Sequence, residues 1–252
     1  LEFGQLFHSC FEATARNNNQ LPNVDRVVKD TIKFRDSLNP LSKGDKKDIK
    51  LLGDIVKMMY PIYYDFWKKN EGIEFSDKAI YIAQEEPFEV KHFFPIYYQL
   101  PTGAWETSNH EMILRGRFDA ILRINGRLWL MENKTKSQID HQGLTAYLPQ
   151  DMQTMMYCQA IKLKYGECPE GVLYNVVKRP GHRFGVKDTN ESFLQRIQDA
   201  VVDDPRSYFM RWHVSIAEQE LQEWVSHTLD KVLYQVWKWW GSIKSNPFNP
   251  WS

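Results

Sequence analysis

Two apolar segments joined by Asn125-Gly126 constrain the fold of this chain more than any other feature of its sequence. Residues 112–124 and 127–135 are rich in Ile, Leu, Phe and Trp. Asn and Gly tolerate the positive φ angles that a type I′ turn requires, so this dipeptide between two apolar segments predicts a β-hairpin.

Three charged residues lie in this predicted hairpin. Asp119 belongs to the first strand, whereas Glu132 and Lys134 belong to the second. Pairing of the strands would bring Asp119 near Glu132, and Glu132 and Lys134, two residues apart, point to the same face. Two carboxylates and an ammonium group on one face suit a divalent cation and an activated water.

An acid that is followed, after a hairpin, by the triplet Glu132-Asn133-Lys134 resembles the core motif of the PD-(D/E)XK nuclease superfamily. Two further motifs resemble its RecB-type branch. Residues 4–8 match the G-x-x-x-H start of a helix, and residues 153–157 match the Q-x-x-x-Y helix. The order of the motifs is that of the branch, and the resemblance spans most of residues 4–180.

Residues 171–180, followed by residues 193–197 and 208–211, are similar to phage-encoded members of this branch. The resemblance implies a viral or mobile-element RecB-type nuclease. It also implies an α/β fold with a restriction-endonuclease-like core, in which a mixed central sheet of four or five strands is flanked by helices. An N-terminal helical elaboration is expected in addition.

The 252 residues, 42% of them hydrophobic, are expected to form a single nuclease domain. The helical elaboration is predicted at roughly 20–75. The nuclease core is predicted at roughly 76–180 together with a helix in 1–16, and C-terminal helices at 189–241.

Periodicity and turn signals predict the individual elements. Helices are expected at 5–16, 23–37, 45–69, 150–165, 189–203 and 217–241, the third with a break or kink near Pro61. Outside the hairpin, residues 79–100 are expected to form one or two strands, at 79–83 and 87–92. A further strand is expected at 171–178, and a polar loop at 136–148.

The resemblance implies a metal site formed by Asp119, Glu132, the backbone carbonyl of Asn133 and His8. Carboxylate and carbonyl oxygens are the ligands that Mg²⁺ prefers, and an imidazole shifts the preference toward Mn²⁺. The alternative for His8 is an ordinary histidine on a helix face. The family's glutamate on the preceding strand is matched most nearly by Glu86.

Lys134 is expected to orient or deprotonate the attacking water, with a pKa lowered by burial and by the cation. The alternative is a simple salt bridge to Glu132. Gln153 and Tyr157 share a helical face, where the amide can bind phosphate or a base edge and the ring can stack on a base. The alternative is a polar core pair.

Charge is balanced, with 32 basic and 32 acidic residues, so DNA binding requires a local basic groove. The alternative for each basic residue is an ordinary surface charge. Trp105 and Trp129 are further candidates for stacking on bases. The candidate groove residues are Arg115, Arg117, Lys136, Lys178, Arg179 and Arg183.

The three cysteines, Cys10, Cys158 and Cys168, have no spacing typical of zinc sites or disulfide frameworks. Some RecB-type relatives hold an iron–sulfur cluster with one cysteine before the core and three after it. This sequence departs from that pattern, so no cluster is expected in this chain. The sequence contains neither a membrane-length apolar segment nor a secretory leader, which predicts a cytoplasmic protein of a bacterium or a phage-infected cell.

The expected function is metal-dependent DNA hydrolysis. The resemblance favours an exonuclease that acts on single-stranded DNA or duplex ends in recombination, repair or phage DNA metabolism. A structure-specific DNA endonuclease and a non-catalytic nucleic-acid-binding module are the alternatives. The sequence identifies no protein partner.

Overall fold

The computed structural model describes residues 2–70, 79–139, 147 and 150–244. Its centre is a sheet of five strands in the order β1-β2-β3-β4-β5. The β3 and β4 strands are parallel, and the other neighbouring pairs are antiparallel, so the sheet is mixed. The strands are β1 Ala79–Gln99, β2 Trp105–Ile124, β3 Arg127–Lys136, β4 Gly171–Lys178 and β5 Phe209–Ser215.

The hairpin predicted from Asn125-Gly126 is confirmed as the turn between β2 and β3. Both turn residues have positive φ angles, 50° for Asn125 and 83° for Gly126, as a type I′ turn requires. The paired residues run from Ile124↔Arg127 to Ala120↔Met131.

Helices cover both faces of the sheet, and the alternation of side chains along β4 shows how. Val172 and Tyr174 belong to a hydrophobic cluster shared with α4 and the C-terminal helices. Val177 belongs to a second cluster, on the opposite face, shared with α1, α2, α3 and α5. The helices are α1 Glu2–Arg16, α2 Val24–Leu38, α3 Lys43–Lys69, α4 Met152–Tyr165, α5 Asn190–Asp203, α6 Glu218–Trp224 and α7 Asp230–Lys244.

This architecture confirms the expected α/β fold with a mixed sheet flanked by helices. The apolar segment 171–178 is buried because helices pack on both of its faces, as is typical of strands with a parallel neighbour. None of the helices in the described ranges is long and apolar enough to cross a membrane.

Residues 79–83 and 87–92, predicted as one or two strands, form one strand, β1, with an irregularity in its register between Tyr81 and Ala83. Two other element predictions need correction. The α3 helix continues through Pro61 without a break. The helix predicted from residue 150 begins at Met152, because the Asp151 side chain accepts a hydrogen bond from the Thr154 N–H and caps it.

The β5 strand was missed. Met210, Trp212 and Val214 share one face of this short strand, whereas Arg211 and His213 lie on the other, and β5 pairs with β4 at the edge of the sheet. The predicted polar loop 136–148 lies mostly outside the described residues, and β3 extends through Lys136.

Candidate active site

The β2 and β3 strands separate beyond the Ala120↔Met131 pair, and the candidate site lies at this point. The Asp119 carboxylate accepts a hydrogen bond from the backbone N–H of Asn133, with Oδ2 and N 2.7 Å apart. Asp119 therefore lies directly beside the triplet Glu132-Asn133-Lys134, as the hairpin predicted.

A group of three side chains lies around Asp119. The His8 Nε2 is 3.1 Å from Asp119 Oδ2, and the His8 Nδ1 is 2.8 Å from Glu85 Oε1. One ligand atom from each residue lies within 4.8 Å of the others, close enough to hold a common metal ion. One imidazole and two carboxylates form a donor set that suits Mn²⁺ or Mg²⁺.

Glu85 was missed, and it occupies the place that was expected for Glu86. The pairs Gln84↔Ala120 and Glu86↔Phe118 place Glu85 across from Asp119 on the neighbouring strand, with a positive φ of 46°. Glu86 forms an ion pair with Lys164 instead. The register of β1 against β2 determines which of the two glutamates lies across from Asp119. Because the backbone of β1 is irregular, this register cannot be predicted from the alternation of residues in the sequence.

The carboxylates around His8 determine its charge. Burial alone would lower the pKa of His8, but the hydrogen bonds to Asp119 and Glu85 outweigh burial and raise it from 6.5 to about 10. Without a cation, the imidazole is therefore protonated at neutral pH and bridges two carboxylates. A cation bound here would replace this proton as the positive charge between them.

Glu132 is fully buried, and its two oxygens have different environments. Oε1 lies 2.6 Å from Lys134 Nζ, whereas Oε2 has no hydrogen-bond partner among the described residues. Burial, and then the charge of Asp119, raise the pKa of Glu132 from 4.5 to about 7. A buried carboxylate oxygen without a partner is costly, and a cation ligated by it would remove that cost.

Lys134 connects Glu132 to the Q-x-x-x-Y helix. Its Nζ donates to Gln153 Oε1 at 3.0 Å, and Gln153 Nε2 donates to the Tyr157 hydroxyl at 3.0 Å. Without a cation, burial acts to lower the Lys134 pKa, but the charge of Glu132 and its hydrogen bond outweigh burial and raise the pKa. The expected lowering of this pKa by a bound cation stays a prediction.

The predicted stacking of DNA bases on Tyr157 has little ring surface available, since Tyr157 is only 8% exposed at the cleft. Its ring is buried and packs edge-on against Phe88 and Phe118, which leaves the hydroxyl group to hold Gln153. Trp105 is exposed but lies fourteen residues before Asp119 on β2, about 45 Å away along a strand. Trp129 is half-buried and packs near His213.

The predicted basic residues fall into two places. Arg117 lies at the metal-ligand group, with Nε 3.3 Å from Glu85 Oε2. Lys136, Lys178 and Arg179 lie together beyond Lys134, because Lys136 pairs with Lys178 and its carbonyl accepts from the Arg179 N–H at 2.8 Å. The other candidates, Arg115 and Arg183, contact Glu89 and Arg196 respectively.

A buried polar network behind the triplet was also missed. Asn175 on β4 donates to Asn133 Oδ1 at 2.8 Å, and its own Oδ1 accepts from Arg211 Nε at 3.2 Å. Arg211 donates in turn to the Tyr63 hydroxyl on α3 at 2.8 Å. The network holds Asn133, the middle residue of the triplet, against α3 and β5. The periodicity of apolar residues could not predict it, because its members are polar.

Substituting Asn175 by alanine is expected to destabilise the protein by about 1–3 kcal/mol, because it leaves the buried Asn133 side-chain oxygen without its donor and removes one of the hydrogen-bond partners of Arg211. Chemical denaturation in the presence of a chelator measures this change. The exposed Gln195→Ala change is the control, and a loss below about 0.5 kcal/mol for Asn175→Ala would show that the network does not support the fold.

Comparison with known proteins agrees with this geometry. The family model described as the PD-(D/E)XK nuclease superfamily matches residues 1–242. No curated protein matches the chain. Among solved structures, the chain is similar to the crystal structure of SSO0001, with 16% identity over 62% of this chain and 67% of that chain and a TM-score of 0.22, a value too low to support an argument. The match of the family model over almost the whole chain shows that this protein belongs to the PD-(D/E)XK nuclease superfamily.

Proposed function

We propose that this protein is a divalent-metal-dependent DNA nuclease of the RecB-type branch, encoded by a phage or a mobile element. The observation that carries the proposal is the convergence of His8, Glu85 and Asp119 beside the buried pair Glu132–Lys134. Motifs far apart in the chain meet at one point, and each supplies a group that phosphodiester hydrolysis requires.

His8, Glu85 and Asp119 would hold the cation. Glu132, whose carboxylate lies outside this group of ligand atoms in the cation-free site, would join it together with the Asn133 carbonyl. A bound Mg²⁺ or Mn²⁺ polarises the phosphate and lowers the pKa of a bound water. Among the described residues, Glu132 Oε2 is a buried carboxylate oxygen without a hydrogen-bond partner, so Glu132 would gain from a cation.

Lys134 would act as a charged donor in this proposal. The ammonium group, whose Nζ is held 2.6 Å from Glu132 Oε1 by a hydrogen bond, would stabilise negative charge on the phosphate oxygens as water adds and the bond to the leaving oxygen breaks. Gln153 accepts from Lys134 and is itself held by Tyr157, which fixes the direction of the ammonium group. Arg117, Lys136, Lys178 and Arg179 are placed to contact the phosphates on either side.

An exonuclease that acts on single-stranded DNA or duplex ends is the first candidate, on the resemblance of the motifs. A structure-specific endonuclease is the second candidate. The described residues form a cleft of about 840 Å³ beside His8 and Asp119. This cleft is open to solvent and does not surround a DNA strand as a tunnel would. An open cleft admits a substrate without free ends.

Linear and circular DNA separate the two candidates. Incubation with Mn²⁺ is expected to degrade end-labelled single strands while a circular single strand of the same sequence stays intact. Gel electrophoresis of both products measures this, with a chelator as the control. Cutting of the circle would establish the endonuclease, and intact DNA and RNA in every form would support a non-catalytic binding module.

A further inference from the structure

We propose that the C-terminal half of α2 forms a binding subsite for an unpaired DNA base, built on the exposed ring of Phe34. This inference rests on the proposed function and adds the form of the substrate: a single strand, bound through its bases next to the metal ligands. The subsite is formed by Phe34 and Leu38, with Thr31 and Arg35 on the same helix face.

The α2 helix has an apolar face that the fold does not use. Its buried residues, Val24 and Val28, lie in its first half. Phe34 and Leu38 follow on the second half, one turn apart, and are 64% and 67% exposed. Two large apolar side chains side by side on a helix surface are costly to leave in water, which points to a ligand.

The position of this face argues for a nucleic-acid strand as the ligand. Phe34 and Leu38 line the same cleft as His8, Glu85 and Asp119, so a strand with a phosphate at the metal ligands continues directly over them. The Arg35 Nε lies 3.6 Å from Glu2 Oε1 at the start of α1, and His8 follows six residues later, about 9 Å along the helix axis.

Two arginines offer contacts to a phosphate backbone at the edge of the cleft. Arg35 and Arg117 line it together with Glu12, Glu85 and Asp119, and both arginines are ion-paired with glutamates rather than buried, so a phosphate would take the place of a carboxylate partner. An exposed aromatic ring can stack on any base whose face is free, whereas the bases of a duplex already stack on one another. The subsite therefore selects a single strand over a duplex.

Binding of a fluorescent oligothymidylate in the presence of Ca²⁺ tests the subsite without cleavage. Phe34→Ala is expected to weaken binding about 5- to 100-fold, the effect of one lost stacking contact, and Phe34→Trp is expected to restore it. An oligonucleotide without bases should bind wild type and Phe34→Ala alike. Phe93→Ala is the matched control, since Phe93 is also a solvent-exposed phenylalanine, at 57%, and lies outside the cleft.

Equal binding by wild type and Phe34→Ala, or an equal loss in Phe93→Ala, would overturn the subsite. Failure of the subsite and failure of the proposed function are distinguishable. Cleavage by wild type with no effect of Phe34→Ala on binding or KM would leave the nuclease and remove the subsite. Binding that depends on Phe34, without cleavage of any strand, would leave the subsite and remove the nuclease.

Discussion

Substitution of Lys134 by methionine is expected to lower the rate of DNA cleavage about 100- to 1000-fold, the usual effect of removing one charged donor from a transition state. Binding of the oligonucleotide should change little, because Arg117, Lys136 and the residues of the cleft remain. Single-turnover cleavage at saturating Mn²⁺ measures the rate. Lys91→Met is the control, since Lys91 is an exposed strand lysine that contacts Glu111 outside the site.

The Lys134→Arg variant separates the two possible roles of the ammonium group. Arginine keeps the positive charge and cannot deprotonate water, so a charged-donor role predicts at least tenfold more activity for arginine than for methionine at this position. Equal inactivity of both variants would favour a lysine that acts as a base. Because Glu132 and Asp119 raise the Lys134 pKa in the cation-free site, we expect the charged role.

Substitution of Glu132 by glutamine is expected to abolish cleavage and, at the same time, to stabilise the cation-free protein at pH 8. The pKa of Glu132 is raised in the folded state from 4.5 to about 7, so ionisation opposes folding. This cost is absent below about pH 4.5 and is complete above about pH 7. Glutamine carries no charge, and at pH 8 we expect a gain on the order of 1–3 kcal/mol and a higher melting temperature.

Thermal denaturation with a chelator, at pH 5 and at pH 8, measures this effect. The stability difference between glutamine and glutamate should be smaller at pH 5, because the wild-type carboxyl group is then largely protonated. Addition of Mn²⁺ should raise the melting temperature of wild type more than that of Glu132→Gln. A variant that is less stable than wild type at pH 8 would contradict the conclusion that the buried carboxylate is unfavourable without a cation.

The sequence predicted those elements that depend on interactions within a short segment, such as turn sterics and the burial of an apolar strand. Asn125-Gly126 fixes its turn through backbone sterics, and the apolar segment 171–178 has no stable position except between two layers of helices. The hairpin in turn places Asp119 beside Asn133. The resemblance to the PD-(D/E)XK nuclease superfamily, first based on short motifs, is confirmed by a family model that matches residues 1–242.

Within the candidate site, the features that sequence reasoning missed depend on contacts between distant segments. The choice of Glu85 over Glu86 follows from the register between β1 and β2. The direction of the Lys134 pKa follows from a balance of burial against two carboxylates, which requires three-dimensional positions. Asn175 is one polar residue in an apolar strand, and its role becomes visible only when Asn133 lies on the neighbouring strand.

The parallel pairing of β3 with β4 has a consequence for synthesis of the protein. Glu132 is opposite Tyr174 in this pairing, so its buried environment is complete only after the chain has been made beyond residue 178. Translation delivers His8 before β4, and long-range pairing of this kind cannot precede the emergence of both strands from the ribosome. A growing chain therefore lacks the complete candidate site until β4 has been added.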